Sequence, residues 1–149
     1  MRALVQRVIE ASVVLPEKVA GEIGRGLLVY LGVKDSDDLS DADYLVAKVF
    51  GLRIFEDGHG KMNWTLTQVG GSLLVVSQVT LYGDCRKGHR PSFSSAARPE
   101  KANYLYQYFI EGCRRKLPRV ETGVFREMMR IQSINDGPVT FLLESSKES

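Results

Sequence analysis

Two short stretches carry side chains whose types and spacing suit chemistry. Ser77-Gln78-Val79-Thr80 ends an apolar run that begins at Ser72, and it sets three hydrogen-bonding side chains into what otherwise reads as a core strand. Polar groups in such a place need partners or a cavity to face. One reading is structural: the strand leaves the core here, and Ser77 and Thr80 are capped locally. The other is an oxyanion or carbonyl site, in which successive N–H groups and the Gln78 amide stabilise developing negative charge. Thr80 also reads as a nucleophile, although no histidine, lysine or α-amine is visibly placed to take its proton, and an unactivated hydroxyl is weak. The second stretch, Ile134-Asn135-Asp136-Gly137-Pro138-Val139-Thr140, lies between apolar runs near the C-terminus. Glycine followed by proline is costly inside a strand, so the segment bends, lies at an edge or has a task. Its dense turn formers read as a hairpin or strand-to-strand bend, with a trans Gly137-Pro138 bond as the default.

The whole chain bounds what these stretches can serve. At 149 residues it reads as one domain with a core large enough to need no staple. Apolar content of 44%, charged content of 26% and a net charge of +2 are ordinary for a soluble protein, so a polyanion would have to be held by a local patch. Cys85 and Cys113 have neither metal-ligand spacing nor the density of a secreted scaffold, and His59 and His89 stand apart in polar loops. No metal or cofactor is expected. No segment has the apolar length of a membrane span or a leader, so a soluble, cytoplasmic protein is expected.

The elements that position the two stretches follow from periodicity. Residues 2–15 alternate imperfectly and read as a long first strand, with Arg7 on an otherwise apolar face. An arginine there snorkels to the surface by default, or it points into a site. Val19 to Ile23 and Gly26 to Val33 continue a three-stranded antiparallel opening. Ser40 with Asp43 has the spacing of a capping pair for a helix over about 40–51. Leu52 to Phe55 is a short strand, Ser72 to Leu81 a central one, and Pro99 to Leu117 the longest helix. A short strand over 119–122 leads to a last pair of strands around Gly137-Pro138, and the tail frays from about residue 145. The loop from Tyr82 to Pro99 is too long for a simple connection and carries Arg86, Lys87, Arg90 and Arg98 among glycines and serines.

Ser77-Gln78-x-Thr80 together with Asn135-x-Gly137-Pro138-x-Thr140 resembles the signature pair of the D-aminoacyl-tRNA deacylases. The likeness covers nearly the whole chain, 1–149. Met1-Arg2-Ala3 with Val5-Gln6-Arg7-Val8, Gly24-Arg25-Gly26-Leu27, Leu52 to Asp57, Gly60 to Asn63, Arg86-Lys87-Gly88 with Arg90-Pro91-Ser92-Phe93, and Glu121-Thr122-Gly123 support it in order. The resemblance implies a homodimeric α/β (α+β-like) fold, a partly closed, antiparallel-rich β-barrel with two main helices, that hydrolyses the ester between a D-amino acid and the 3′ end of tRNA. It also implies a cis Gly137-Pro138 bond, inserted from one subunit into the site of the other, whose carbonyls leave no room for an L side chain. Arg7 would hold that turn, Phe125 and Met129 would line the pocket near the terminal adenosine, and Gln78 with the N–H groups around Val79 and Thr80 would polarise the ester carbonyl.

Two departures accompany the resemblance: Val79 stands where relatives usually carry phenylalanine, and Arg126 where they usually carry glycine. Arg126 adds a charge that would meet tRNA phosphate. An aminoacyl ester is already activated, so orientation, carbonyl-directed donors and the ribose 2′-OH favour substrate-assisted hydrolysis over covalent catalysis by Thr80. Arg86, Lys87, Arg90 and Arg98 form the best candidate patch for the acceptor stem, against the plainer reading of a solvated loop. The competing functions are a nucleic-acid-binding module without catalysis and a small-molecule hydrolase with Thr80 as nucleophile.

Overall fold

The computed structural model describes residues 1–145, so the tail expected to fray lies, but for Ser145, outside the described residues. The elements are β1 (Arg2–Val14), β2 (Val19–Ile23), β3 (Gly26–Gly32), α1 (Leu39–Gly51), β4 (Phe55–Glu56), β5 (Met62–Trp64), β6 (Ser72–Ser77), a 3-10 turn (Val79–Tyr82), α2 (Pro99–Arg114), β7 (Val120–Thr122) and β8 (Arg130–Glu144). β1 is the organising strand. It pairs antiparallel with β3 from Arg2 to Val8 and with β2 from Ala11 to Val14, while β8 runs antiparallel to it along its whole length. β6 then adds to β3, and β7 to β6, both parallel.

The sheet is therefore mixed, with a parallel half that the sequence pattern did not disclose. It curls into a partly closed barrel. The Arg119 guanidinium donates to the Glu22 carbonyl at 2.8 Å. A Cβ on Gly21 would lie 2.9 Å from the Thr122 carbonyl oxygen, which brings β2 close over β7.

Alternation along the strands divides the interior in two. Ala3, Val5, Leu27, Val29, Leu31, Leu73 and Val75 face α1 and α2 and join Leu45, Val49, Tyr106 and Phe109 in the larger core. Leu28, Leu74 and Val76 point the other way and meet Val8, Ala11 and Val13. Residues 8, 11 and 13 share a side because the β1–β8 register slips between Val8 and Glu10, leaving Ile9 bulged and exposed.

Four expectations are corrected. β6 stops at Ser77 instead of running to Leu81, because Gln78 N–H donates to Leu31 O at 2.8 Å and Leu81 N–H turns back onto Gln78 O at 3.2 Å. The apolar Leu81 and Tyr82 belong to the 3-10 turn instead. β8 is one strand, not two. Its turn formers produce a bulge, in which residues 136–139 stand opposite Arg7 alone between the pairs Val8–Asn135 and Gln6–Thr140. α1 is capped by Asp38 with Asp41, a reciprocal pair that satisfies two orphan N–H groups, and not by Ser40 with Asp43. The strand expected over Leu52–Phe55 is reduced to Phe55–Glu56, paired with β5 across a turn in which Asp57 accepts from the His59 and Lys61 N–H groups.

Gly24 and Gly26 flank the break between β2 and β3 and make a paired test of this packing. A Cβ on Gly26 would stand 1.8 Å from Ser72 O, a backbone atom that cannot move without breaking the parallel pairing, whereas Gly24 has open space around it. Gly26→Ala is expected to cost about 3 kcal/mol or more in urea unfolding, and Gly24→Ala less than about 1 kcal/mol. Equal midpoints for the two variants would refute the packing.

Candidate functional site

The parallel pairing of β3 with β6 sets Leu31 beside Ser77, so both strands end at the same place. A crevice outside the carboxyl ends of parallel strands is where open α/β sheets bind ligands. A cleft of about 540 Å³ lies there. Ser77, Gln78 and Val79 line it from the sheet side, Phe125, Arg126, Glu127, Met128 and Met129 from the segment leading into β8, and Ile131 from the start of β8 itself. Ala97, Pro99 and Ala102, at the start of α2, complete it. Of the expected site residues, Ser77, Gln78 and Val79 from the sequence pattern and Phe125 and Met129 from the resemblance line this cleft, and Thr80 does not. Glu127, Met128, Ile131 and the residues at the start of α2 were not expected there; they meet the cleft through non-local packing that local periodicity does not encode.

The turn after β6 supplies hydrogen-bond donors. Gln78 N–H is used by Leu31 O, but among the described residues the N–H groups of Val79 and Thr80 have no acceptor. They begin a 3-10 turn, where the first donors have no partner within the turn. The Gln78 side-chain amide donates to the Thr80 hydroxyl oxygen. Among the described residues no basic side chain bonds that hydroxyl, so none of them activates it as a nucleophile.

The opposite wall is set by packing. The Phe125 ring lies 6.0 Å from that of Tyr106, whose hydroxyl donates to Val75 O at 3.1 Å and is pushed up to about 12 chiefly by burial. The Met129 sulfur accepts from Val124 N–H at 3.3 Å, and a Cβ on Gly123 would come within 2.8 Å of it. Arg126 has φ of 63°, the left-handed region that costs an L side chain about 1–2 kcal/mol. Its guanidinium is free of ion pairs among the described residues.

Positive charge gathers on one side. The amino end of the 16-residue α2 meets the cleft, preceded by the exposed Arg98. The loop before it is closed by the reciprocal backbone bonds of Asp84 and Ser92 at 2.7 and 2.9 Å. Within it Arg86 forks onto Asp84 at 2.9 and 2.8 Å, and this contact holds the Asp84 carboxyl down at about 2. Arg86 is therefore partly neutralised locally, whereas Lys87 and Arg90 are exposed and unpaired among the described residues.

Thr80, Arg7, Gly137 and Pro138 do not line this cleft, although Thr80 adjoins it through Val79. Arg7 is buried, 5% exposed, and does not snorkel. Its Nη1 donates to Ile54 O at 2.7 Å, while Nε lies 3.1 Å from Asp136 Oδ2 as an ion pair without hydrogen-bond alignment. Asn135 Nδ2 donates to Arg7 O at 3.0 Å and to Val139 O at 3.2 Å, closing the bulge from within. The Gly137-Pro138 peptide is cis, and both residues are exposed. Among the described residues no His, Cys, Asp or Glu cluster could hold a metal, and no helix is long and apolar enough to cross a membrane.

Replacing Arg126 by glycine relieves the left-handed backbone but adds unfolded-state entropy. Arg126→Gly is expected to raise stability by roughly 0.5–1 kcal/mol, read as a higher urea midpoint at unchanged slope. A lower midpoint would mean that the arginine side chain makes stabilising contacts that outweigh the strain.

A family model described as D-Tyr-tRNA(Tyr) deacylase matches residues 4–144. Curated proteins called D-aminoacyl-tRNA deacylase are similar over almost their full length. That of Koribacter versatilis is 57% identical over 148 residues, and that of Thermotoga petrophila 56% identical over 147, with 99% of each chain covered. Among solved structures, one named c-Myc DNA Unwinding Element Binding Protein is 37% identical with a TM-score of 0.93, covering 98% of this chain and 99% of that one. Another, described as a probable eukaryotic D-amino acid tRNA deacylase, shares the fold at 18% identity and a TM-score of 0.82, covering 96% and 98%. On the extent of these matches, the chain belongs to the D-Tyr-tRNA(Tyr) deacylase family.

Proposed function

We propose that the chain hydrolyses the ester of D-aminoacyl-tRNA, releasing free D-amino acid and tRNA, as a cytoplasmic homodimer in which each subunit's Gly137-Pro138 enters the other's cleft. The observation that carries this reading is a division within the single chain. The cleft is lined by Val79, whose N–H, like that of the adjoining Thr80, has no acceptor among the described residues, and by Phe125 and Met129. The bulge with the exposed Gly137-Pro138 is held rigidly by Arg7 and Asn135, yet does not line that cleft. A second copy would unite them. The exposed Ile134, Phe141 and Leu142 beside the bulge give such a contact apolar area.

The chemistry follows from the donors. The ester carbonyl oxygen sits against the Val79 and Thr80 N–H groups with the Gln78 amide beside them, so negative charge is stabilised as water adds to the carbonyl carbon. Collapse breaks the bond to the ribose 3′-oxygen, which takes a proton relayed from the water through the adjacent 2′-OH. Thr80 keeps its hydroxyl as an acceptor for Gln78 and forms no covalent bond. Ser77 ends the strand and fixes the turn's direction.

Chirality is read by exclusion. The carbonyls of Gly137 and Pro138 face the substrate's α-carbon and ammonium, so an L side chain meets backbone, whereas a D side chain points outward and glycine enters freely. The tRNA is held through phosphate and terminal adenosine by Lys87, Arg90 and Arg98, with Arg86 weakened by Asp84, and Arg126 at the cleft mouth. A second reading is a nucleic-acid-binding module without catalysis, which the name of one structural relative favours.

The test is paired hydrolysis of D-tyrosyl-tRNA and L-tyrosyl-tRNA, with glycyl-tRNA and a chelator-treated tube alongside. Loss of the D and glycyl esters, an intact L ester and indifference to chelator are expected. Thr80→Ala should stay within about tenfold of the parent, whereas a covalent nucleophile would lose more than roughly 10⁴-fold. Gly137→Ala should lose roughly 100-fold while remaining folded, since within the subunit its Cβ meets only the Asn135 side chain at 3.2 Å. A folded dimer that binds tRNA in a salt-sensitive manner and cleaves no ester would leave the binding-module reading in its place.

A further inference from the structure

The 3-10 turn that carries the donors is only Val79–Tyr82, and so short a turn has too few internal bonds to fix its own shape. Its amino end is tied to β3 through Gln78 N–H and Leu31 O at 2.8 Å. Its carboxyl end is held by one side chain from the first strand. Arg2 Nη1 donates to Leu81 O at 2.8 Å, the guanidinium carbon lies 4.6 Å from the centre of the Tyr82 ring, and Nε donates to Glu144 Oε1 at 2.5 Å. One planar cation thus touches the turn's backbone, its last ring and β8 together.

The neighbouring strand makes room for this arrangement. Arg2 pairs with Gly32 in the β1–β3 register. A Cβ on Gly32 would stand 3.0 Å from Leu81 Cβ and 3.1 Å from Gln78 O, so the turn rests directly on the glycine backbone. Tyr82 is buried, and burial pushes its hydroxyl up from the ordinary value, so the ring under Arg2 is neutral. Arg2 itself does not line the cleft.

We propose that Arg2 is a positioning residue for the hydrolytic turn: by clamping Leu81 and Tyr82 it sets the direction of the Val79 and Thr80 N–H groups. The proposal rests on the deacylase reading of that turn. A lysine can reach the Leu81 carbonyl or Glu144, but it lacks the planar fork that bonds both while lying on the ring. Loss of the clamp shifts donors that act on the transition state and leaves intact the surfaces that hold the tRNA, so it should appear in kcat and not in KM.

The experiment compares wild type, Arg2→Met, Arg2→Lys and Glu144→Gln in steady-state hydrolysis of D-tyrosyl-tRNA, below the melting temperature of each. Arg2→Met is expected to lose roughly 10- to 100-fold in kcat with KM within about twofold, and Arg2→Lys to recover part of the loss. Glu144→Gln, which leaves the bond to Leu81 in place, should lose less than Arg2→Met. The amide resonances of Val79 and Thr80 should move in Arg2→Lys. A folded Arg2→Met with wild-type kcat, or one that loses only KM, overturns the proposal. Should Arg2→Met not fold, Arg2→Lys decides: a lowered kcat with shifted Val79 and Thr80 amides supports the clamp, and wild-type kcat overturns it. An inactive wild type would instead sink the deacylase reading itself.

Discussion

The pairing of β1 along both edges is the constraint on which the rest of the structure depends. One edge carries β3, and through it β6 and the turn that supplies the free donors. The other carries β8 and the bulge of residues 136–139. Two arginines of this one strand brace the two products. Arg2 holds the turn and Arg7 holds the bulge, and because they stand an odd five positions apart they emerge on opposite faces of the sheet. The start of the strand is itself anchored. The Met1 ammonium is buried against Asp37 at 2.7 Å and Ser145 Oγ at 2.9 Å, and the second Asp37 oxygen accepts from Lys34 N–H at 2.6 Å. Such a buried pair contributes little against an apolar alternative, but removing one partner strands the other at a cost of about 3–5 kcal/mol. Its effect here is to fix where β1 begins, and hence the register of everything paired to it.

The cleft shows what chemistry is left to the chain and what is not. Its lining is mostly apolar, with polar side chains at Ser77 and Gln78 and the charged Arg126 and Glu127 on the segment before β8. The two thiols add nothing to it: Cys113 is buried, and burial pushes its pKa up to about 12, while Cys85 sits in the exposed loop. A site whose backbone and amide donors stand beside a Thr80 hydroxyl that no basic side chain bonds, among the described residues, suits a reaction whose substrate is already activated and brings a hydroxyl of its own. The positive end of α2 meets the cleft, and the exposed Lys87, Arg90 and Arg98 in and after the preceding loop suit a polyanion better than they suit proton transfer.

Much of this was legible in the sequence because local signals and short motifs specify local structure. The length of β1, the two helices and the polar residues after β6 all follow from periodicity and from polar groups out of place. What was not legible is non-local or depends on small competitions. Nothing in Leu27–Leu31 or Leu73–Ser77 says that the two runs pair in parallel, since continuous apolar runs fit either direction when both faces are buried. Val79, Thr80 and Leu81 extend the strand pattern of β6, yet the turn wins because its residues pack on Gly32 and Gln78 finds a partner in Leu31. Asn-Asp-Gly-Pro reads as a chain reversal, but β1 offers an uninterrupted partner on both sides, so the extra residues are absorbed as a bulge opposite Arg7. Arg7 was ambiguous for a related reason. Whether an arginine on an apolar face snorkels or stays depends on acceptors such as Ile54 O, which sequence does not place.

The glycines separate demands made by the fold from demands made on it. At Gly21, Gly26, Gly32 and Gly123 an added Cβ would meet backbone or packed side chains at 3.0 Å or less, so the need for glycine lies within the chain. Gly60, Gly70 and Gly88 have positive φ, which explains them equally well. Gly137 belongs to neither group. Its φ lies outside the left-handed region, it is exposed, and its Cβ would ask only a few tenths of an ångström from the Asn135 side chain. The fold of one subunit therefore gives little reason for a glycine there, although Arg7, Asn135 and Asp136 are spent on holding that backbone still. Rigid main chain presented to solvent without a side chain is suited to approach something closely. Under the proposed reading, a substrate α-carbon whose wrong substituent would meet backbone supplies that reason, and it needs no charge, base or flexible group at the point of contact.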